Sequence, residues 1–224
     1  MAIKKRYGFT LGEVLLAVLI IGIISLLTLP SLIKNMNAKS RMELLKNTIA
    51  NVGTSIQQEF TKYRTTNITD TDIYNNPKAF LENFDYAQSG VPFASSYGRH
   101  TNTGTAATIV IPADGQENQA AILLKNGVGI GIVNNEETST TSVIVDLTGD
   151  KKPNKVGADY FVFKIEWNDD YSKGIRAGDI NSFENGGATG TETNESLTTA
   201  CKNGNGAACF RLVDLSNYDP NYLK

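Results

Sequence analysis

The stretch that decides the fold is residues 8–30, GFTLGEVLLAVLIIGIISLLTLP. Between Phe9 and Leu29 a single charged residue, Glu13, interrupts an otherwise apolar run. About 20 apolar residues, each rising about 1.5 Å in a helix, cross the roughly 30 Å of hydrocarbon in a bilayer. The run therefore predicts one membrane-spanning helix, and no other stretch of the sequence is long and apolar enough to be a second.

Basic residues precede the apolar run and indicate its orientation. Lys4, Lys5 and Arg6 favour a cytoplasmic amino terminus, so we expect the bulk of the chain outside the cytoplasm. A secretory signal also begins with basic and apolar residues, but it is cut after small residues that follow the apolar core. Residues 30–34 read PSLIK instead, so composition alone predicts an anchor that is retained.

Glu13 is the one residue that a plain membrane anchor does not explain. A carboxylate inside a membrane helix is costly, and such residues are functional candidates by default. The alternative is that Glu13 lies near the cytoplasmic face and reaches the lipid headgroups. Composition leaves both explanations open.

The residues around Glu13 form a motif. Residues 8–13, GFTLGE, resemble the processing site of the type IV prepilins and the type II secretion pseudopilins. In that family a basic leader is removed after the glycine, the new terminal phenylalanine is N-methylated, and the glutamate takes part in assembly. The resemblance implies cleavage between Gly8 and Phe9, methylation of Phe9 and an assembly role for Glu13. Gly12 departs from the branched apolar residue that is common at its position.

The resemblance also gives Glu13 a physical role in a filament. The amine freed at Phe9 can still carry a proton after methylation, with an unperturbed pKa of about 8. That cation and the Glu13 carboxylate of a neighbouring subunit would neutralise each other in an apolar core. At about 4 Å and an effective dielectric constant of about 20, the attraction is about 4 kcal/mol before desolvation. The pair would therefore favour one axial register.

The resemblance further implies partners and a location. The partners are a prepilin peptidase and methyltransferase, other pilin or pseudopilin subunits, an assembly platform, and membrane lipid before assembly. The chain would cross the bacterial inner membrane once, with its head outside the cytoplasm, and then enter a pilus or pseudopilus in the periplasm or at the cell surface. The sequence does not choose between pilus and pseudopilus, or between a major and a minor subunit. Two alternatives are a minor pilin whose head binds DNA, a surface or a partner protein, and a membrane-tethered exported domain.

The net charge and the motifs that the sequence lacks disfavour two other classes of function, nucleic-acid-binding proteins and enzymes. The formal charge is −2, and loss of a leader with three basic residues would leave 18 basic and 23 acidic residues, or −5. This balance disfavours nonspecific nucleic-acid binding. His100 is the only histidine. The sequence has no Ser-His-Asp set, phosphate-binding glycine loop or paired metal histidines, so we expect neither an enzyme nor a required cofactor.

Residues 31–63 predict that the helix continues beyond the membrane. Apolar residues recur there at steps of three or four, which corresponds to one face of an α-helix, and polar residues occupy the intervening positions. The alternative is two separate helices with a hinge at Pro30, which lacks one backbone donor. The apolar face comprises Ala38, Met42, Leu45, Ile49, Val52, Ile56 and Phe60.

The second half of the chain predicts an antiparallel sheet. Asn126-Gly127 predicts a type I′ turn between two of its strands. Gly129 and Gly131 leave one face of a strand bare, and we expect the helix to lie against that face. Apolar and β-branched residues indicate strands at residues 108–111, 121–125, 128–133, 142–146 and 160–165.

Together these patterns predict an α+β, pilin-like fold. One long amino-terminal helix, with a membrane half and an amphipathic half, would pack against the antiparallel sheet, and an irregular connection with short helices would join the two. The expected divisions are a cleaved basic leader at residues 1–8, a transmembrane and polymerisation helix at 9–30, its amphipathic continuation at 31–63 and one globular exported head at 64–224.

The connection before the last strand is a candidate calcium site. Side-chain oxygens alternate at Asp146, Thr148 and Asp150, as in calcium loops, and Asn154 and Asp159 would add more. The loop is not an EF-hand, because the required glycine and bidentate glutamate are missing. The alternative is a polar connection whose Asp and Asn side chains cap turns.

The two cysteines, Cys201 and Cys209, both belong to the part expected outside the cytoplasm, where they would pair. A disulfide closing so short a loop would stabilise the head by roughly 2–3 kcal/mol. Zinc is the alternative, but two cysteines without a nearby histidine are too few ligands. A carboxy-terminal disulfide loop is also similar to that of many pilins. Residues 181–199, rich in Gly, Thr, Asn and Glu, predict a mobile loop before it.

Overall fold

The computed structural model of the chain describes residues 10–90, 92–99, 109–113, 116–149, 151–152, 154–167 and 193–222. The fold is α+β, with one long amino-terminal helix and a five-stranded antiparallel sheet. The chain divides into two compact units, Met1–Ser40 and Arg41–Lys224. Several residues discussed above lie outside the described part of the chain: Lys4, Lys5, Arg6, Gly8, Phe9, His100 and Asp150.

The long helix, α1, spans Leu11–Tyr63 and comprises 53 residues. It runs through Pro30 without interruption, as the continuous interpretation predicts and the hinged alternative does not. Within the second unit, one face of α1 is buried in the same hydrophobic core as the sheet. Ala38, the first residue of the predicted apolar stripe, is only half-buried. The other six are buried, as predicted: Met42, Leu45, Ile49, Val52, Ile56 and Phe60.

Five strands form the sheet in the order of the chain, each antiparallel to its neighbour. They are β1 Tyr86–Ser89, β2 Gln119–Leu124, β3 Gly129–Asn135, β4 Thr140–Asp146 and β5 Tyr160–Glu166. The predictions of β2, β3, β4 and β5 are confirmed. We did not predict β1, because all four of its residues are exposed and its sequence, YAQS, shows no burial pattern.

The strand predicted at residues 108–111 is wrong. Residues 109–111 are half-buried against the core but lie outside any strand, and Thr108 lies outside the described residues. The Val110 N–H donates to the hydroxyl oxygen of Tyr160 at 3.0 Å, and the Val110 carbonyl accepts from that hydroxyl at 2.6 Å. A side chain of β5 therefore takes the place of a partner strand.

The β2–β3 hairpin closes through a different turn from the predicted one. A type I′ turn needs a positive φ at both Asn126 and Gly127, but of these two residues only Gly127 has one, at 86°. The Gly127 N–H donates to the Leu124 carbonyl at 2.9 Å, and the Leu124 N–H donates to the Val128 carbonyl at 2.8 Å. This pattern is a three-residue loop that ends in a left-handed glycine. The hairpin is confirmed and the turn type is wrong.

A loop, and not α1, covers the bare face of β3. A Cβ added at Gly131 would lie 2.6 Å from Pro112 Cγ and 3.0 Å from Phe93 Cε2. One added at Gly129 would lie 3.2 Å from Pro92 Cγ. These three rings can reach the sheet only because the two glycines lack side chains. The prediction that the helix fills this space is wrong.

Short helices occupy the connection between α1 and the sheet, as predicted. A 3-10 helix, Ile68–Asp70, is followed by α2 Asp72–Asn75 and α3 Pro77–Leu81. The Asn76 side chain accepts from a backbone N–H of α3, and proline occupies the first turn. Both features favour a helix start at this point.

Two further helices, α4 Asn194–Lys202 and α5 Gly206–Leu215, lie near the carboxy terminus. Thr193 and Ser196 form a capping box that starts α4. The mobile loop predicted at residues 181–199 is therefore wrong from Thr193 onward, and its earlier part lies outside the described residues.

Candidate functional site

The candidate assembly residue, Glu13, lies in the first turn of α1 and is exposed. Its carboxylate oxygen Oε2 accepts from the Thr10 N–H at 2.7 Å and from the Thr10 hydroxyl at 2.8 Å, and the Glu13 N–H donates to Thr10 Oγ1 at 3.3 Å. These reciprocal bonds form a capping box, which satisfies backbone donors at the start of a helix. The Thr-x-x-Glu spacing signals this arrangement, and we did not predict it.

The first unit exposes a large apolar surface along α1. Its exposed large apolar side chains range from Val14, at 47% exposure, to Leu11, at 77%. By length and composition this helix fits a membrane anchor or a signal sequence. Monomeric soluble proteins rarely expose so extended an apolar surface. Contact with lipid or with another protein would remove this surface from water.

The predicted disulfide between Cys201 and Cys209 is present, with an S–S distance of 2.01 Å and 4.6 Å between the Cα atoms. Cys201 lies in α4 and Cys209 in α5, so the bond joins two helices instead of closing a flexible loop. Both residues are fully buried. Because each sulfur is bonded to the other, the zinc alternative does not apply to this state of the chain.

The disulfide packs directly on Gly157, in the loop before β5. A Cβ added at Gly157 would lie 2.8 Å from Cys209 Sγ and 3.2 Å from Cys201 Sγ. The hydroxyl of Tyr222, close to the carboxy terminus, donates to the Gly157 carbonyl. Gly157 also has a φ of 80°, which favours glycine. The carboxy-terminal segment is therefore fastened to the loop that carries the candidate calcium ligands.

Two of those candidates, Asp146 and Asp159, are fully buried and meet at Thr148. The Thr148 hydroxyl oxygen lies 3.2 Å from Asp146 Oδ1, 3.1 Å from Asp159 Oδ2 and 2.8 Å from the Lys151 carbonyl oxygen. One hydroxyl has one proton and cannot donate to three acceptors at once. Three oxygen acceptors therefore compete for the Thr148 hydroxyl proton, while the backbone N–H groups of Thr148 and Lys155 donate to the two carboxylates.

Tyr97 completes the cluster and was missed by sequence reasoning. Its hydroxyl donates to Asp146 and accepts from the Ala94 N–H at 3.1 Å, and its ring lies 4.5 Å from that of Tyr160 between centroids. It lies in an irregular segment far along the chain from Asp146, so no local spacing signals the contact. Only the folded head brings the two residues together.

Burial favours the protonated form of both carboxyl groups. It raises the pKa of Asp146 to about 7, although the hydrogen bonds from Tyr97 and Thr148 act in the opposite direction. Burial also raises the pKa of Asp159, against hydrogen bonds from the Lys155 N–H and Thr148. Each carboxylate is unfavourable as a buried anion. A proton or a cation on the cluster would relieve that cost.

The candidate ligand atoms of this cluster fit a hard cation, since they are oxygens of carboxylate, hydroxyl and carbonyl groups. Asp146 and Asp159 would supply charge, and Thr148 Oγ1 and the Lys151 carbonyl would supply neutral ligands. Asn154 contributes its backbone N–H to Asp159, and Asp150 lies outside the described residues. Within the described ranges no three His, Cys, Asp or Glu side chains converge. Calcium binding stays a prediction, and turn capping stays its alternative.

The architecture is pilin-like: a long amino-terminal helix, apolar in its first half, combined with a five-stranded antiparallel sheet. No protein-family model, no curated protein and no solved structure matches the chain. Support for a function therefore comes from the residues and geometry of the chain itself.

Proposed function

We propose that this chain is a prepilin-like structural subunit that assembles through α1 into a type IV pilus or a type II secretion pseudopilus. The observation that carries the proposal is the continuity of α1, which is apolar and exposed in its first part and buried in the core of the head in its last part. A signal sequence removed after its apolar core would be cut inside this helix. Cleavage after Gly8 would leave the whole helix attached to the head.

In this proposal, the exposed apolar surface of α1 is buried first by lipid and then by other subunits. Lipid would cover it while the subunit waits in the inner membrane, with its head outside the cytoplasm. The apolar helices of neighbouring subunits would cover it after assembly, through close packing of side chains. The buried disulfide supports a head that matures outside the cytoplasm, where such bonds form and persist.

Glu13 is suited to join subunits without releasing its own helix. Oxygen Oε2 takes both hydrogen bonds from Thr10, and Oε1 accepts none from the described residues. The methylated amine of a neighbouring Phe9 would bind at Oε1 and leave the capping box intact. In an apolar core this contact would neutralise two charges that are costly when unpaired.

The proposal is tested by mass spectrometry of the chain made in bacteria that contain an active prepilin peptidase and methyltransferase. We expect the mature amino terminus to be methylated Phe9. Two controls should retain Met1. One is the original chain in cells without the peptidase. The other is a Gly8→Leu variant, in which the peptidase site would have to accommodate a new side chain. A wild-type terminus at Met1, or one beyond residue 30, in cells with the active peptidase would overturn the proposal.

A further inference from the structure

A polar groove of about 720 Å³ opens on the head. It lies between the α2–α3 connection, the end of β1, the start of β2 and the segment that precedes β2. Small residues such as Ala113 form part of its wall. The described lining includes neither the disulfide nor a member of the Asp146 cluster.

Three side-chain amides of the lining are each held at one end by the backbone. Asn75 Nδ2 donates to the Thr69 carbonyl at 2.9 Å. Asn76 Oδ1 accepts from a backbone N–H of α3 at 3.1 Å, and Gln119 Oε1 accepts from the Ala113 N–H at 2.7 Å. A carbonyl can only accept and an N–H can only donate. These partners therefore fix which end of each amide is oxygen and which is nitrogen.

The opposite end of each amide is available to a ligand. Asn75 Oδ1 is an acceptor, Asn76 Nδ2 and Gln119 Nε2 are donors, and these three atoms make no hydrogen bond within the described part of the chain. Lys78 and Glu117 also line the groove and bring one charge of each sign. The described lining thus presents oriented donors and acceptors together with one charge of each sign.

We propose that this groove binds a neutral, polyhydroxylated ligand of the carbohydrate class. A hydroxyl group both donates and accepts, so a row of hydroxyls can pair with amide oxygens and amide nitrogens that are fixed in advance. Because the amides are already oriented, binding does not have to order them. The balance of Lys78 and Glu117 disfavours a phosphate-rich ligand, and the polar lining disfavours an apolar one. The site does not involve α1, so it stands apart from the proposed assembly function.

The test is saturation-transfer NMR on the full chain in phosphatidylcholine nanodiscs, with maltotriose and chitotriose as probes. Glycoside detergents are avoided because they would compete. We expect saturation transfer to at least one sugar. Ala113→Trp should weaken binding by about tenfold or more, because Ala113 is exposed and the new ring would fill the groove. Ala87→Trp, at an exposed position on β1 outside the described lining, is the matched control and should bind as the original chain does.

A second variant tests the amides directly. Gln119→Ala removes the free Nε2 donor and should weaken binding several-fold, and it decides the matter alone if Ala113→Trp does not fold. Three results would each overturn the proposal: no transfer to either sugar, equal transfer to the Ala113→Trp and Ala87→Trp proteins, or preferential binding of uncharged trialanine. The last result would identify a peptide groove.

Discussion

Replacing Gly157 by alanine should destabilise the head more than the same change at Gly127. The two glycines have nearly the same φ, 80° and 86°, so each alanine carries a left-handed strain of roughly 1–2 kcal/mol. Their surroundings differ. A Cβ at Gly127 meets nothing within 4 Å, whereas one at Gly157 lies 2.8 Å from Cys209 Sγ and 2.9 Å from the Tyr222 hydroxyl oxygen.

The difference between the two variants therefore isolates the contact with the disulfide. Cys209 Sγ is held by its covalent bond, and Tyr222 is held by its hydrogen bond to the Gly157 carbonyl. Neither atom can retreat freely from a new methyl group. Overpacking of this kind costs about 1–3 kcal/mol, which places the melting temperature of Gly157→Ala about 2–12 °C below that of Gly127→Ala.

Thermal unfolding of the full chain can be followed by the fluorescence of Trp167, the only tryptophan. Its side chain is buried and meets the Tyr74 ring edge-on, with 4.6 Å between centroids. Equal melting temperatures for the two glycine variants would refute the close packing of the loop on the disulfide. In a background where Cys201 and Cys209 are both alanine, the difference should shrink, because the clashing sulfur atoms are gone.

Three further outcomes are expected. Glu13→Val should leave the subunit in the membrane fraction on immunoblots but remove it from the sheared surface filaments. The reason is that the Phe9 amine of a neighbouring subunit loses its partner, at a cost of a few kcal/mol, ~4 at most. Normal amounts of filament would contradict the pairing. In calcium-free protein, the free energy of unfolding should fall as pH rises from about 4 to about 7, because the folded-state pKa of Asp146, about 7, lies above the unfolded value of about 3.9. The folded state binds the Asp146 proton more tightly than the unfolded state does. The resulting stabilisation is complete below the unfolded-state pKa and is lost as pH rises through the folded-state pKa. Asp146→Asn should flatten this dependence of the unfolding free energy on pH. Millimolar calcium should raise stability above pH 7 through Asp146 and Asp159, and calorimetric titration without binding heat would leave the turn-capping alternative.

The sequence predicted the elements whose pattern follows from burial alone. One buried face repeats every three to four residues in α1, and β2 to β5 are short, largely buried runs of apolar and β-branched residues, so both signals are local. What covers each face is not local. Gly129 and Gly131 correctly indicated a close approach, but the rings that approach come from Phe93 and Pro112, in segments with no periodic signal. Sequence spacing gave the wrong neighbour because it cannot place irregular segments.

The candidate sites also contain a part that local sequence predicts and a part that depends on distant segments. Pairing of Cys201 and Cys209 was predictable because the chain contains no other cysteines. The oxygen atoms around Thr148 were only partly predictable. Asp146 ends β4 and Asp159 lies in the loop that follows, so the two are close in sequence, whereas the Tyr97 hydroxyl comes from a distant segment. The exposed strand β1 and the groove beside it left no signal, because their residues resemble any polar connection.

Glu13 and the amides of the groove share a property that sequence patterns hide. Residues with short polar side chains at helix ends are usually explained by capping alone. At Glu13 one carboxylate oxygen caps α1 and the other accepts no hydrogen bond within the described chain. At Asn76 the amide oxygen caps α3 and the nitrogen is left over. Capping holds such a side chain in one orientation, so the remaining atom is presented to a partner with little further loss of conformational freedom. A capping residue beside an uncovered surface is therefore a better binding candidate than an unconstrained polar residue at the same place.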